Sequence, residues 1–198
     1  MTVKLLHHTP LEVADIAICK CYGNEPHSDS EKVKARINRV ATVSKHASTI
    51  EHLTYTFDID GISRGCLQEL ARHRIASYTV KSSRYTLQEL KDEDISLSDY
   101  LVSTKNSHID IQNILQLKYV KLKLIEGIPN DIIKYLLPEA YKTSLVMTIN
   151  ARSLQNFLEL RSSKHALWEI QLLVKVMYEA IPDEHKFLYD NIFKEEIK

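Results

Sequence analysis

The chain contains 198 residues, of which 44% are hydrophobic and 26% are charged, and its 26 basic residues balance 26 acidic ones. This composition is typical of a soluble globular protein, and the length predicts a single domain over residues 1–198. A formal net charge of +0 disfavours proteins that wrap a nucleic-acid polymer, because these usually carry a broad positive excess. Any anion that the chain binds should therefore be small and held at one focused site.

The sequence also disfavours membrane segments and metal sites. The N-terminal segment has no long apolar stretch, and no run reaches the roughly 18 apolar residues of a membrane span, so we expect a cytoplasmic protein without a secretory signal. Cys19 and Cys21 are either half of a metal site or two small residues of a helix. Together with Cys66 they make an odd number of cysteines, which fits a reducing compartment. The histidines lack the spacing of a known metal motif, so we predict no metal.

The hydrophobic pattern predicts strands and helices in the first half of the chain. In chain order these are a strand over Val3–His8, helices over Leu11–Cys21 and Glu31–Ser44, a half-buried strand over Leu53–Ile59 that ends at Asp60–Gly61, and a helix over Ile62–Ala71. This last helix is expected to run directly into Arg72–Arg74. Residues 77–86 are interpreted as a loop that passes into a strand.

The second half is predicted to be mainly helical. Residues 92–106 are polar and are expected to be irregular and the most expendable part of the chain. The pattern then predicts a helix over Ile111–Ile125, a short helix capped by Asn130 that ends before Pro138, a strand over Leu145–Ile149, and helices from Arg152 onward. Because strands and helices are mixed without a regular βαβ alternation, the pattern favours an α+β fold.

A cluster of hydrogen-bond donors from Arg72 to Arg84 is the first candidate site. Its sequence, RHRIASYTVKSSR, contains three arginines, a histidine, a lysine and three serines within thirteen residues. Arginine binds phosphate with two parallel hydrogen bonds, and the short hydroxyls of Ser82 and Ser83 can approach a phosphate closely. We interpret the segment as a nucleotide phosphate clamp, with a solvated basic turn as the alternative.

A second candidate site lies in Ile149–Ser163. On a helix, Arg161 shares one face with three apolar residues, namely Leu154, Phe157 and Leu158. Burying a charge requires a partner, so we expect an internal carboxylate or an anionic ligand beside Arg161. The alternative is an arginine that reaches water past the edge of the core. A different, polar face carries Arg152 and Asn156, and neither a G-x-G-x-x-G motif nor a P-loop occurs, so a dinucleotide would bind without a Rossmann turn.

These motifs resemble those of a known family. Arg72–Ser77, followed by Ser82–Tyr85, is similar to the signature RHRxxSxNxxSxRY of the flavin-dependent thymidylate synthases. His46–His52 resembles the segment before the second strand of that family, and Asn150–Arg161 resembles its C-terminal motif. The resemblance covers roughly residues 46–86 and 134–171, and three motifs in the same order are far more specific than one.

The resemblance implies a fold, an assembly and a reaction. It implies a central mixed or antiparallel sheet flanked by helices, without a Rossmann fold, in a homotetramer whose active sites lie at subunit interfaces. The family converts dUMP to dTMP, with methylenetetrahydrofolate as the carbon donor and NADPH as the reductant. FAD is tightly bound and relays the hydride.

The resemblance also implies roles for individual residues. The residues that would contact FAD are Ser48, Arg72, His73, Arg74, Asn150, Arg152 and Asn156, with His46 and Glu51 close by. Those that would surround dUMP are Glu69, Arg72, Ser82, Ser83, Arg84, Lys134 and Arg161. Arg84 would take the phosphate. Arg161 would face the uracil ring and promote ionisation at N3, so that C5 becomes nucleophilic without a cysteine nucleophile.

The chain departs from the family pattern at several positions. Thr79 stands at the asparagine of the signature, and Val80 stands where an acidic residue is common. Glu69, Ser83 and Ser48 replace a frequent glutamine, glycine and threonine. The charge of Glu69 would repel an anionic uracil unless this residue pairs with Arg72 or acts through its backbone.

Two alternatives to the enzyme follow from these observations. One is a binding module in which the basic segment and Arg161 hold RNA or a nucleotide without turnover. The other is a catalytically silent relative that retains the fold, which the changes at Thr79 and Val80 make conceivable.

Overall fold

The computed structural model describes residues 1–92 and 96–193 and contains one antiparallel sheet. Its strands are β1 (Thr2–His8), β2 (Thr54–Ser63), β3 (Ala76–Val80) and β4 (Lys142–Asn150), in the order β1-β2-β4-β3. The predicted α+β class is therefore confirmed, and the sheet is antiparallel at every strand pair. Of the predicted segments, residues 93–95 of the irregular stretch and residues 194–198 of the C-terminal helical region lie outside the described residues.

Helices flank this sheet. They are α1 (Glu12–Tyr22), α2 (Ser30–Ile37), α3 (Arg64–Leu70), α4 (Ser83–Thr86), α5 (Ser107–Ile125), α6 (Asn130–Ile133), α7 (Ala151–Ser162), α8 (Trp168–Ala180) and α9 (Asp190–Phe193). A wider π-helical turn, Asn38–Val43, continues α2, and 3-10 turns include Ala47–His52, Leu97–Tyr100, Lys134–Leu136 and Asp183–Leu188. Among the described helices, none combines the length and the apolar character that a membrane crossing requires.

Two hydrophobic clusters support different parts of the chain. The larger cluster lies between one face of the sheet and helices α7 and α8, and it buries Tyr55, Phe57 and Met147 completely. The smaller cluster packs α5 against Ile133, Tyr141 and the 3-10 turn Leu87–Lys91. The main cluster underlies the Arg72–Arg74 segment and α7, whereas the smaller cluster underlies α4 and α6.

The predicted end of the second strand at Asp60–Gly61 is wrong. The strand continues to Ser63, and its pairing with β4 shifts register between Asp60 and Ile62. Gly61 has a φ of 74°, a conformation that favours glycine, and it forms this bulge without ending the ladder. Ile62 therefore belongs to the strand, and the following helix begins at Arg64 and ends at Leu70, before Arg72.

The predicted order of loop and strand in residues 77–86 is also wrong. The strand comes first, because Ala76–Val80 pairs with β4, and the single helical turn α4 follows it. The pairing of β3 with a strand more than sixty residues later is a tertiary contact that the local pattern does not contain.

Two smaller predictions differ from the structure as well. Asn130 is the first residue of α6 and not its cap, and its side chain instead donates to the carbonyl of Arg84. Part of the 92–106 segment is not expendable, because Leu101 is buried in the smaller cluster and pairs with Tyr141.

Candidate functional site

An open cleft lies where β4 passes into α7 and where the chain leaves α3. Its volume is about 810 Å³. The residues that line it are Glu51, Arg72, His73, Arg74, Ile75, Asn150, Arg152, Ser153, Asn156, Leu160 and Arg161. The structure thus brings together two motifs that are far apart in sequence, and with them most of the residues that the resemblance assigns to FAD.

The N-terminus of α7 forms one wall of the cleft. Asn150 caps this helix, since its side-chain oxygen accepts a hydrogen bond from the backbone N–H of Ser153 at 2.8 Å. The backbone N–H of Ala151 donates to Leu53 of the segment before β2, which fixes the helix on the sheet. A helix N-terminus carries a partial positive charge, so this wall favours anions.

Arg161 is held in place by three hydrogen bonds within the chain. Its Nη1 donates to Oε2 of Glu69 at 2.7 Å, its Nη2 donates to the backbone carbonyl of Glu69 at 3.1 Å, and its Nε donates to Nε2 of His73 at 3.0 Å. The side chain is only 16% exposed. Of the two partners that the sequence analysis left open for Arg161, an internal carboxylate or an anionic ligand, the chain supplies the carboxylate, Glu69.

Glu69 contacts a second arginine, since Nη1 of Arg72 lies 3.7 Å from its Oε1. Pairing with Arg72 was one of the two arrangements that the sequence analysis offered for Glu69, and it is present, although the shorter ion pair is with Arg161. Two guanidinium groups offset the carboxylate charge, which reduces its repulsion of an anionic ligand in the cleft.

His73 lies between Arg161 and the core. Its ring makes an edge contact with Phe157, with ring centroids 4.8 Å apart. Burial, with the charges of Arg161 and then Arg72, lowers the pKa of His73 below its usual value, while Glu69 acts in the opposite direction. Because Nε2 accepts the hydrogen bond from Arg161, the neutral ring carries its proton on Nδ1.

The charge of the cleft is strongly positive, although the chain as a whole is neutral. Four arginines and a single carboxylate, Glu51, line it. Glu51 accepts a hydrogen bond from Arg152 at 2.6 Å, and both side chains are about half exposed. Among the predicted FAD residues, Ser48 is not in the cleft lining, although it lies in the same 3-10 turn as Glu51.

The remaining predicted dUMP residues form a separate, exposed region around α4 and α6. Ser82 and Ser83 are half-buried, and Arg84 pairs with Asp131 through two hydrogen bonds, the longer of them 3.2 Å. The ammonium group of Lys134 lies 5.5 Å from the ring centroid of Tyr135. None of these residues lines the cleft.

Strand β3 separates the two regions within one chain. Arg74 precedes the strand, and Ser82 follows it. The strand itself spans about 14 Å at a rise of ~3.4 Å per residue. A single chain therefore presents the arginine cleft at one end of β3 and Arg84 at the other.

Several residues of these regions were not predicted from the sequence. Ile75 and Leu160 line the cleft and are largely exposed, at 72% and 56%. Leu160 could have been predicted to line the cleft, because it lies one helical turn after Asn156, a predicted FAD residue. No local sequence pattern predicts that Asp131 pairs with Arg84, because the two residues are far apart in sequence.

The cysteines do not provide a nucleophile at this cleft. Cys66 is buried on α3, and burial, with the nearby charge of Glu169, raises its pKa to about 12. Such a thiol stays protonated and unreactive at neutral pH.

Comparison with known proteins identifies the family. Residues 4–185 match the family model described as thymidylate synthase complementing protein. The flavin-dependent thymidylate synthase of Wolinella succinogenes is 53% identical over 96% of this chain and 97% of its own, and that of Campylobacter jejuni strain RM1221 is 49% identical over 100% of both. The crystal structure of thymidylate synthase X from Helicobacter pylori, with FAD and dUMP, is 45% identical with a TM-score of 0.91 and covers 98% of this chain and 100% of its own. The chain therefore belongs to the flavin-dependent thymidylate synthases, a family of enzymes.

Proposed function

We propose that the chain converts dUMP to dTMP, with methylenetetrahydrofolate as the carbon donor, NADPH as the reductant and FAD as the bound cofactor. The observation that carries this proposal is the placement of Arg161 in a cleft lined by four arginines. Three of the five N–H donors of its guanidinium are used by Glu69 and His73. The remaining donors are available to a substrate in the cleft.

The residues of the cleft fit FAD. Its pyrophosphate is anionic, and the cleft offers arginines, the N-terminus of α7 and the exposed apolar side chains of Ile75 and Leu160. The residues that would hold it are Arg72, His73, Arg74, Asn150, Arg152 and Asn156. Ser48 would reach it from a neighbouring copy, since it does not line the cleft of its own chain. When bound, FAD supplies the hydride chemistry that no side chain can perform.

Arg161 is the proposed catalytic residue. A fixed guanidinium stabilises negative charge as it develops on the uracil ring, and its position costs no reorganisation because Glu69 and His73 already hold it. Loss of the N3 proton makes the ring electron-rich, so C5 can attack the one-carbon unit. A thiol nucleophile is then unnecessary, which agrees with the buried Cys66.

The phosphate of dUMP would be bound by Ser82, Ser83, Arg84 and Lys134 of another copy of the chain. These residues lie at the far end of β3 from the arginine cleft, which supports a site that two chains would complete together. Arg84 would exchange Asp131 for the phosphate, and this exchange is easy because both side chains of the pair are more than half exposed.

A homotetramer with sites between subunits is the assembly we propose. Helix α5 exposes an apolar stripe that includes Ile111, Leu115, Leu122 and Ile125, each of them about half exposed. Tyr85 and Tyr135, next to the proposed phosphate residues, are 78% and 82% exposed. Exposed apolar surface of this extent favours association. We place the reaction in the cytoplasm, where the free thiols of Cys19, Cys21 and Cys66 would stay reduced.

The test combines a spectrum with turnover. Purified protein is incubated with FAD and freed of excess cofactor, and its visible spectrum is recorded before and after addition of dUMP. In a second experiment, dTMP formation is measured after addition of methylenetetrahydrofolate and NADPH. We expect a retained oxidised-flavin band that dUMP perturbs, and dTMP as the product. Retained flavin without dTMP would favour a silent relative, and failure to retain flavin together with strongly salt-dependent RNA binding would favour a binding module.

A further inference from the structure

A group of potential metal ligands lies at the end of β1, apart from the residues that line the cleft. It consists of His8 of that strand and of Glu184 and His185 in the 3-10 turn Asp183–Leu188. One ligand atom of each residue lies within 4.8 Å of the others. The rings of His8 and His185 meet edge to face with centroids 5.2 Å apart, and Nε2 of His8 lies 3.7 Å from a carboxylate oxygen of Glu184.

The strongest sign of a ligand here is the second nitrogen of His185. This residue is 1% exposed. Its Nδ1 lies 2.8 Å from the hydroxyl of Tyr55, whereas its Nε2 is buried and has no hydrogen-bond partner within residues 1–92 and 96–193. Buried polar atoms nearly always have a partner, so an orphaned ring nitrogen beside His8 and Glu184 calls for one.

The surroundings of the group suit a cation. All three residues line a cavity of about 310 Å³, and two more acidic residues, Glu12 and Glu31, also line it. The single lysine of the lining, Lys34, lies over the ring of Phe187, with its ammonium 5.5 Å from the ring centroid. The local balance is therefore negative in a chain whose net charge is zero.

We propose that His8, Glu184 and His185 bind one divalent cation of the zinc class. Two imidazoles and one carboxylate are ligands that Zn²⁺ prefers, and three protein ligands leave one position for water. Coordination would use Nε2 of His185, because Nδ1 faces Tyr55. A hydrogen bond from a metal-bound histidine to a second group is the usual way in which such a ring is oriented.

Such a cation would connect two distant parts of the chain. His8 ends β1, and Glu184 and His185 lie more than 170 residues later, so coordination would fasten the end of the first strand to the C-terminal turn. No local pattern indicates such a site, because the histidines have no metal-motif spacing and only the fold brings His8 to His185.

The test measures Zn²⁺ binding to tag-free, chelator-treated full-length protein by calorimetry, with Co²⁺ absorption as a report on the ligands. We expect one ion per chain and a higher thermal unfolding midpoint with the metal. His8→Asn and Glu184→Gln alter partly exposed side chains and should each weaken binding about tenfold or more. His7→Asn is the matched control, since the adjacent strand residue faces the other side and should leave affinity unchanged.

Tyr55→Phe provides a variant that keeps the buried ring and removes only the hydroxyl. It should also weaken Zn²⁺ binding, with a circular dichroism spectrum like that of the unchanged protein. Absence of saturable Zn²⁺ binding, or equal affinity in His8→Asn, Glu184→Gln and His7→Asn, would overturn the proposal. None of these measurements uses turnover, so the result is independent of the proposed reaction.

Discussion

The arginine cleft and the region around Arg84 each contain an arginine with a carboxylate partner, but the two side chains are held to different extents. In the cleft, Arg161 makes three hydrogen bonds within the chain and is 16% exposed. Within the described part of the chain, Arg84 makes one ion pair, with Asp131, and both side chains are more than half exposed. One arginine is fixed before a ligand arrives, whereas the other can change its partner.

The difference follows from the packing beneath each residue. Arg161 extends from the same face of α7 that packs Leu154, Phe157 and Leu158 into the main cluster, and the ring of His73 contacts Phe157 of that cluster. Arg84 lies on a single helical turn that contains no buried residue. A fixed charge suits stabilisation of a transition state. An arginine that can exchange its carboxylate partner suits binding of the phosphate of a substrate held in the cleft of another subunit.

The largest effect is expected on removal of the fixed arginine. If Arg161 faces the uracil as we propose, Arg161→Ala should lower kcat by about 10²–10³-fold, because a preorganised charge would be lost. Flavin retention and the oligomeric state should persist, since the other cleft arginines remain. Steady-state dTMP formation and size-exclusion chromatography measure these properties. Arg39→Ala, an exposed arginine outside the cleft, is the control, and unchanged turnover in Arg161→Ala would remove the assigned role.

Mixed oligomers test whether the two regions come from different subunits. Arg84→Ala alone should be nearly inactive, as should Arg161→Ala. When the two inactive variants are unfolded, mixed and refolded together, about a quarter of the sites should regain both arginines by random pairing of subunits. The measurement is dTMP formation against the mixing ratio. If both residues of a site came from the same chain, the mixture would stay inactive.

A smaller effect is expected at the rim of the cleft. Arg152→Ala removes a charge that the proposed cofactor would contact, and a charge-assisted hydrogen bond contributes about 1.5–3 kcal/mol, so FAD affinity should fall roughly 10- to 100-fold. Stability should change little, because the pair with Glu51 is half exposed. Flavin fluorescence titration gives the affinity. Equal FAD affinity in Arg152→Ala and in Arg39→Ala would place the cofactor elsewhere.

The smallest expected effect concerns the protonation of the His73 ring in the cleft. The pKa of His73 is lowered by burial and by Arg161, so the ring should stay neutral in the folded state below the ~6.5 of an unfolded histidine. The unfolded state then takes up the proton first, and the free energy of unfolding should fall as the pH drops from about 6.5 towards the native value. NMR titration of the ring protons, assigned with His73→Asn, measures the pKa.

The same titration separates the two causes of the shift. Arg161→Ala should raise the pKa of His73, since one positive neighbour and its hydrogen bond are removed while burial remains. A pKa that is unchanged in this variant would mean that Arg161 does not act on the ring.

Local sequence patterns determined a large part of this structure. The periodicity of α7 placed Arg161 on an apolar face, and burial of its charge predicted a partner that was either an internal carboxylate or an anionic ligand. Alternation predicted strands β2 and β4, and the family resemblance predicted that Arg72–Arg74 and Asn150–Arg161 belong to one site, although only the fold brings these two segments together. The periodicity of α7 and the alternation of β2 and β4 depend on neighbours within a few residues, so the sequence contains them.

Tertiary structure alone decided the features that depend on distant partners. The pairing of β3 with β4 turned a predicted loop into a strand, and the bulge at Gly61 let β2 continue past a turn signal. Strand β3 also separates Arg84 from the arginine cleft within one chain, and the packing of the C-terminal turn Asp183–Leu188 places His185 beside His8 of β1. Neither the sign of a charge nor the period of a helix specifies which distant segments meet, because that depends on how the whole core packs.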